Sequence, residues 1–488
     1  MLSVSCPSCG APVAFRSHAS VMAVCEFCRT TVHKDAGAVR DLGKLSEVLE
    51  DYSPIQIGTS GKVGGRAFTV IGRIQLRYAA GMWNEWYLMY EDGGAGWLGD
   101  ASGQYTVTTA RPLPASWPDF DRVRVGAQYD LESGAGGGLF TVSDRRVATC
   151  VGGQGELPFR VGDGWQARVA DLRRGAAFAT LDYSDGDTPV LYTGFATTLG
   201  TMQCQLLRDD EAIKASAGRY RGKVQALQCP SCGSPIGYLP GMAANLVCPA
   251  CAARIDAATP QAEVLAAGER TARVPLTLTL GTVARIGQQD YHLIGAMKRL
   301  DDDGEEWTEY LLYTPRGQFF WLVETGAGWW RSEVLDEWPE PGTPAVPKVA
   351  LHNIAYERTL DYPARVSWAA GAFNWKVAAG ERVRVREFER GQTSLAAEMN
   401  DEELSWSRST PVAFDQVRAW FKLPAPPAPA RGKSVLSAND LRWRFLLWMV
   451  GLNAVPLLFN FFDTVVWLAA GIFVLFISFD EKKNRETP

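Results

Sequence analysis

The chain has 488 residues and a net charge of −5, with 47% hydrophobic and 21% charged residues. This length exceeds what a single hydrophobic core supports, so about two to four domains are expected. The negative charge and the lack of a basic cluster argue against nucleic-acid binding, and the opening residues, MLSVSCPSCG, do not resemble a secretory signal peptide.

The chain begins with a metal-binding pattern. Residues 6–28 read CPSCGAPVAFRSHASVMAVCEFC, in which two C-x2-C pairs are separated by fifteen residues. Two tight turns of this kind present four thiolates to one tetrahedral ion, which is typical of a structural zinc ribbon. Residues 1–34 are therefore predicted to form a zinc ribbon with the ligands Cys6, Cys9, Cys25 and Cys28.

A connecting segment and a strand-rich region follow. In VRDLGKLSEVLED the apolar residues recur at helical intervals, which predicts a connecting helix over 35–51. Residues 52–222 contain alternating runs such as AFTVIGRIQLRY and EWYLMYE, separated by turn sequences such as ESGAGGG and DYSDGD. This pattern predicts a mainly β domain that is an antiparallel sandwich or barrel-like.

The second half of the chain repeats the first. The fragment CPSCG recurs at Cys229, 223 positions after Cys6, and Gly72 and Gly295 are separated by the same distance. The stretch FRVGDGWQARVADLRRG also resembles WKVAAGERVRVREFERG, at a separation of 216. Landmarks that recur at a near-constant separation predict a tandem duplication.

The second copy has the same predicted parts as the first. They are a zinc ribbon over 225–257, a connecting helix over 258–271 and a β domain over 272–423. The second metal site has the ligands Cys229, Cys232, Cys248 and Cys251. We therefore expect two structural Zn²⁺ ions per chain.

The C-terminal region is apolar. A Pro-rich linker over 424–440 precedes an apolar run over 441–480 and a basic tail over 481–488. The run is too long for one straight span, so a transmembrane α-helical hairpin with a turn near 460–463 fits better. A single tilted span and a buried soluble helix pair are the alternatives. Positive residues on both sides of the run place the folded domains in the cytoplasm, at the inner membrane.

No catalytic constellation is evident in the sequence. The four histidines do not recur between the two copies, and no nucleophile elbow, P-loop or H-E-x-x-H motif occurs. We therefore expect the protein not to be an enzyme.

The two copies do share aromatic and acidic residues. Trp83 and Glu85 correspond to Trp307 and Glu309, and Asp182 matches Glu398 less closely. One interpretation is a binding site for a small cation, because a carboxylate between aromatic rings attracts positive charge. Its residues would be Trp83, Glu85, Trp97, Trp307, Glu309, Tyr310 and Trp321. The alternative is that the tryptophans are core residues and the Glu side chains point outward.

The motifs WNEWYL, GWL and GELPF, and in the second half WTEYLLY, FWLVE and GAFNW, carry a family resemblance. In these motifs the chain resembles a bacterial family, domain-of-unknown-function family 4178, over both strand-rich regions. The resemblance implies zinc ribbons ahead of the domain and membrane helices after it. It also implies a genetic setting beside polyamine-synthase-like membrane proteins and membrane-stress proteins. It supplies no activity and no catalytic residue.

Three hypotheses for the function remain open from the sequence. The first hypothesis is a membrane-anchored cytoplasmic scaffold or sensor that binds a protein partner through its ribbons and β domains. The alternative is a binding module for a small cation, such as a polyamine, that uses the shared Trp and Glu positions. An enzyme that uses carboxylates is a third hypothesis.

Overall fold

A computed structural model gives the fold of most of the chain. It describes residues 2–17, 20–28, 30–35, 38–44, 53–78, 81–101, 103–113, 117–131, 138–161, 164–209, 211–213, 227–236, 245–256, 263–266, 274–314, 318–341, 347–373, 377–424, 462, 465, 466 and 469. Residues 1–422 form one compact unit, which contains both copies of the repeat.

The first copy is a small ribbon followed by a closed β barrel. The ribbon strands are β1 (Leu2–Ser5), β2 (Pro12–Phe15), β3 (Met22–Val24), β4 (Thr30–Asp35) and β5 (Ala38–Lys44). The later strands are β6 (Ser60–Val63), β7 (Arg66–Tyr78), β8 (Gly81–Tyr90), β9 (Ala95–Ala101), β10 (Gln104–Arg111), β11 (Gln128–Asp130), β12 (Leu139–Leu157), β13 (Gln166–Arg174), β14 (Ala177–Asp182) and β15 (Val190–Thr197). Eight of them close a barrel in the order β7-β8-β9-β10-β15-β14-β13-β12, because β12 also pairs with β7.

The second copy repeats this plan. Its ribbon contains β16 (Leu227–Gln228), β17 (Pro235–Ile236), β18 (Asn245–Val247), β19 (Arg254–Asp256) and β20 (Glu263–Ala266). Its later elements are β21 (Val283–Ile286), β22 (Gln289–Asp301), β23 (Glu306–Tyr313), β24 (Phe319–Thr325), β25 (Gly328–Val334), β26 (Glu340–Pro341), β27 (Lys348–Leu351), β28 (Ile354–Phe373), β29 (Arg382–Arg390), β30 (Thr393–Met399), β31 (Leu404–Val412) and the helix α1 (Phe414–Phe421). The second barrel closes in the order β22-β23-β24-β25-β31-β30-β29-β28. The predicted duplication and mainly β fold are confirmed, and the domains are barrels, not sandwiches.

Each barrel closes at a pair of glycines. Gly72 on β7 lies opposite Gly155 on β12, and Gly295 on β22 lies opposite Gly371 on β28. A Cβ on Gly72 would overlap the carbonyl oxygen of Glu156, so the two strands approach too closely for any side chain there. Glycine therefore permits the pairing that turns an open sheet into a barrel.

The outer faces of the strands carry much of the hydrophobic core. In the first barrel, Trp86 and Leu88 point outward and are covered by Ile55 and Met202, which lie outside the barrel strands. A second outer layer packs Phe140 and other side chains beneath Phe120. Because side chains alternate along a strand, the residues between these apolar positions face the lumen. The lumen can therefore hold polar groups without loss of the core.

Each ribbon extends the sheet of its barrel. β3 pairs with the end of β12, and β18 pairs with the end of β28. Met22 and Val24 of the first ribbon belong to one buried cluster with Trp97 at an end of the barrel. A metal site in the ribbon is thus mechanically joined to the barrel wall.

The two predicted connecting helices are wrong over the described residues of each range. Residues 38–44 form strand β5 within the predicted helix 35–51, and residues 263–266 form strand β20 within the predicted helix 258–271. β5 pairs with β4 and β20 pairs with β19, so hydrogen bonds to the ribbon sheet override the local helical pattern.

The predicted linker over 424–440, hairpin over 441–480 and tail over 481–488 lie outside the described residues, apart from Pro424 and four single positions. Within the part of the chain that the structure describes, no helix is long and apolar enough to cross a membrane.

Candidate functional site

Each ribbon brings its four cysteines together. In both sets the four sulfur atoms all lie within 4.8 Å of one another. Sulfur–sulfur distances are 3.6 Å for Cys6–Cys28, 3.7 Å for Cys9–Cys25, 3.8 Å for Cys229–Cys251 and 3.7 Å for Cys232–Cys248. A tetrahedral ion with metal–sulfur bonds of about 2.3 Å requires sulfur–sulfur edges of about 3.8 Å. Each set therefore has the geometry to hold one metal ion.

A glycine completes the first turn of each ribbon. Gly10 and Gly233 have φ values of +77° and +74°, which other residues rarely adopt. Their amides donate hydrogen bonds of 2.8 Å to the carbonyl oxygens of Cys6 and Cys229. These bonds fold each C-x2-C segment back on itself, so that both thiols face the same point.

A cavity of about 910 Å³ is lined by inward-facing residues of both barrels. The barrels meet where Arg146 of the first lies 2.9 Å from Glu403 of the second. Six of the predicted cation-site residues line this cavity, namely Trp83, Glu85, Trp97, Trp307, Glu309 and Trp321. The interpretation in which the Glu side chains point outward is wrong, since both face the lumen.

Tyr310 lies elsewhere, although it adjoins Glu309 in sequence. Successive side chains of a strand point to opposite faces, so Tyr310 points out of the barrel. Its hydroxyl donates to Glu324 at 2.8 Å and accepts the amide of Thr277 at 3.1 Å, and its ring stacks on Trp329 at 5.8 Å. The prediction that Tyr310 contributes to the cation site is wrong.

In the first lumen, Glu85 is half-buried and accepts a hydrogen bond. Trp83 Nε1 donates to Glu85 Oε1 at 2.8 Å. Burial raises the pKa of Glu85 to about 7, and the nearby Asp182 and Asp100 add to the shift. Burial also raises the pKa of Asp182, which accepts the amide of Ser184 at 2.9 Å. This lumen therefore brings together carboxyl groups whose ionisation is disfavoured.

A third carboxylate completes this group. Asp171 accepts a hydrogen bond of 2.6 Å from Thr180, and burial raises its pKa well above the usual range, with Asp144 contributing. We call Glu85, Asp171 and Asp182 the first carboxylate triad.

The second lumen has a matching triad, made of Glu309, Glu387 and Glu398. Val169 pairs with Asp182 in the first barrel as Val385 pairs with Glu398 in the second, which fixes the equivalence of β13 and β14 with β29 and β30. The same register makes Asp171 equivalent to Glu387. Sequence reasoning missed this pair, although the separation of 216 residues that matches Asp182 to Glu398 also joins Asp171 to Glu387.

The second triad differs from the first by an added arginine. Arg299 Nη1 lies 2.7 Å from Glu398 Oε2, and Arg299 Nε lies 3.4 Å from Glu309 Oε1. Glu309 also accepts a hydrogen bond of 2.7 Å from Trp307 Nε1. Burial alone would lower the pKa of Arg299, but the two carboxylates raise it further than burial lowers it.

The arginines of the first lumen are bound to other groups. Arg146 lies 3.2 Å from Asp144 and 2.9 Å from Glu403, and its guanidinium stacks on Tyr78 at 4.2 Å. Arg173 Nη1 donates to the backbone carbonyl oxygen of Asp336 at 3.3 Å. Arg173 lowers the pKa of Asp171 by less than burial and Asp144 raise it, so Arg173 compensates this carboxyl group only in part.

The chain matches one family model over both barrels. That model, described as a domain of unknown function (DUF4178), matches residues 56–197 and 279–414. No curated protein and no solved structure matches the chain. The matched residues make up more than half of the sequence and coincide with the two barrels, and on this basis the chain belongs to the DUF4178 family and carries two tandem copies of its domain.

Proposed function

We propose that the protein is a binding protein, not an enzyme, and that the lumen of its first barrel binds an organic cation with one or more ammonium groups. The observation that carries this proposal is the first carboxylate triad: its three half-buried carboxyl groups line the cavity, while Arg146 and Arg173 of the same barrel contact other groups. Buried carboxylates are costly unless a positive group compensates them. A bound cation would supply that compensation.

The surroundings of the triad favour an organic cation over a single metal ion. Within the described residues, the groups of three or more ligand atoms that lie within 4.8 Å of one another are the two cysteine sets. The triad is more widely spread, which suits an extended ligand with separated charges. Trp83 and Trp97 also line the cavity, and their rings can attract an ammonium group.

Calorimetry of the full-length protein with spermidine, at pH 8 in a mild detergent, tests this function. We expect saturable binding, and we expect Glu85→Gln to weaken it about ten-fold because the cation loses a partly desolvated counter-charge. Glu309→Gln is the matched control, since Arg299 already compensates that carboxylate. No binding at millimolar spermidine, or an equal loss in both variants, rejects the proposal.

The cysteine sets complete this function as structural sites. We propose that each holds Zn²⁺, because four thiolates fill a tetrahedral site and leave no open position for chemistry. The ribbons would then stabilise the ends of the barrels against which they pack.

We also propose that residues 441–480 anchor the protein in the inner membrane as a hairpin, with the barrels in the cytoplasm. Reporters near Ser3 and Thr487 should then lie on the same side. If a membrane-impermeant reagent labels only the Thr487 reporter in intact cells, the hairpin is wrong.

Partner binding by the first ribbon is a second candidate function. Phe27, between Cys25 and Cys28, exposes 73% of its surface, whereas the second ribbon has Ala250 at this position. An exposed aromatic residue at a rigid turn is suited to insertion into a partner's pocket. Affinity purification in mild detergent should recover a partner protein with the wild type. The Phe27→Ala variant should keep its zinc but no longer recover that partner. If the wild type and the Phe27→Ala variant recover the same proteins, this candidate function is rejected.

A further inference from the structure

We propose that Arg299 acts as a built-in cation in the second barrel, so that only the first barrel of each chain accepts a ligand. This inference rests on the proposed function and names the residue that makes the two copies differ. It follows from the position of one side chain relative to the second triad.

The guanidinium of Arg299 lies between two members of the second triad. Its distances are 2.7 Å to Glu398 and 3.4 Å to Glu309, and the residue is only 8% exposed. A planar guanidinium with several N–H donors can contact two carboxylates at once. The chain itself therefore places a positive charge beside two of the three carboxylates of the second triad.

The strand register identifies the corresponding residue of the first barrel. Arg299 on β22 lies opposite Trp307 on β23, whereas Leu76 on β7 lies opposite Trp83 on β8. Trp83 donates a hydrogen bond to Glu85, and Trp307 donates the equivalent bond to Glu309. The strand registers of the two barrels therefore correspond at these positions. Leu76 is therefore the counterpart of Arg299.

Leu76 leaves the first triad without an equivalent positive group. It is buried and lines the same cavity as Glu85 and Asp182. The first barrel thus shows that this fold accepts a leucine next to these carboxylates. In the first barrel, a bound cation would take the space and supply the positive charge that the Arg299 side chain provides in the second.

Exchange of these two residues tests the inference. With spermidine as the probe, calorimetry of the full-length wild type should give one cation per chain. Arg299→Leu should give two, because the second triad then lacks its arginine. Leu76→Arg should abolish binding, whereas Leu76→Met, which adds no charge, should keep it.

The possible results separate this inference from the proposed function. A wild type that binds no spermidine rejects both, whereas a wild type that binds two cations rejects only the role of Arg299. A folded Arg299→Leu variant that still binds one cation also overturns that role. If Arg299→Leu does not fold, as judged by circular dichroism and zinc content, Leu76→Arg and Leu76→Met decide. If Leu76→Arg still binds spermidine, the inference is contradicted. If Leu76→Arg loses binding and Leu76→Met keeps it, the inference is supported.

Discussion

At the scale of single residues, the notable property is that carboxylates face inward in both barrels. Glu85 was identifiable from sequence because it recurs as Glu309 within a shared W-x-E motif. The inward orientation of Glu85 could not be predicted from the sequence. Alternation along a strand defines two faces but does not say which of them faces the lumen. Around Glu85 both faces of β8 are covered, the outer one by apolar segments and the inner one by the walls of the cavity.

The elevated pKa of Glu85 predicts how stability depends on pH. Burial raises this pKa to about 7, against about 4.3 for an exposed Glu in an unfolded chain. Between these values the folded chain holds a proton that the unfolded chain has released, so the contribution of Glu85 to stability falls as the pH rises through this window. Glu85→Gln removes the ionisation and should raise the free energy of unfolding by about 3–4 kcal/mol at pH 8, with little change at pH 4.5.

Thermal unfolding of Glu85→Gln and the wild type at the two pH values measures this difference. Glu91→Gln changes an exposed carboxylate nearby and should behave like the wild type at both. A Glu85→Gln variant that is no more stable than the wild type at pH 8 would show that Glu85 is not held in an unfavourable ionised state.

At the scale of elements, local pattern predicted the strands and the ribbons but not the closure of the sheet. Runs such as AFTVIGRIQLRY correspond to β7, and the cysteine spacing marked both ribbons. Closure depends on the pairing of β7 with β12, which are far apart in sequence. The helix predicted over 35–51 failed over 38–44 for a related reason: Val39 and Leu42 are spaced as in a helix, but pairing with β4 overrides this local pattern.

The glycine pairs at the closure predict a strong effect of a small substitution. Gly72→Ala would place a methyl group against the backbone of β12, which cannot move without loss of the β7–β12 pairing. We expect a loss of more than about 2 kcal/mol in the free energy of unfolding, measured by denaturant titration. Gly326→Ala is the control, because a Cβ there meets open space. Equal stabilities of the two variants would contradict this role for Gly72.

The ribbons predict separable metal sites. Cys6→Ser combined with Cys9→Ser should reduce the zinc content from about two ions per chain to about one, because the second set has its own four thiols. Elemental analysis of anaerobically purified protein measures this content. An intact protein that contains no zinc, or a variant that loses both ions, contradicts two independent sites.

At the scale of the whole molecule, duplication has produced two barrels of the same topology with different lumens. The equivalence of the copies could be predicted from the recurring cysteines, glycines and tryptophans. The difference between the copies could not be predicted from the sequence. Only the strand register shows that Leu76 and Arg299 are equivalent and that each lies beside its triad. Arg146 and Glu403 link the barrels, so one cavity contacts a triad with Leu76 beside it and a triad with Arg299 beside it.

Proton release on binding tests the central claim most directly, namely that a cation binds at Glu85. At pH 7 a group with a pKa of about 7 is half protonated, and a bound ammonium group should drive its ionisation. Calorimetry with spermidine at pH 7, in two buffers of different ionisation enthalpy, should therefore show release of at least about half a proton per cation. Glu85→Gln should reduce this release. Binding with identical heats in both buffers, or no binding, would contradict the account.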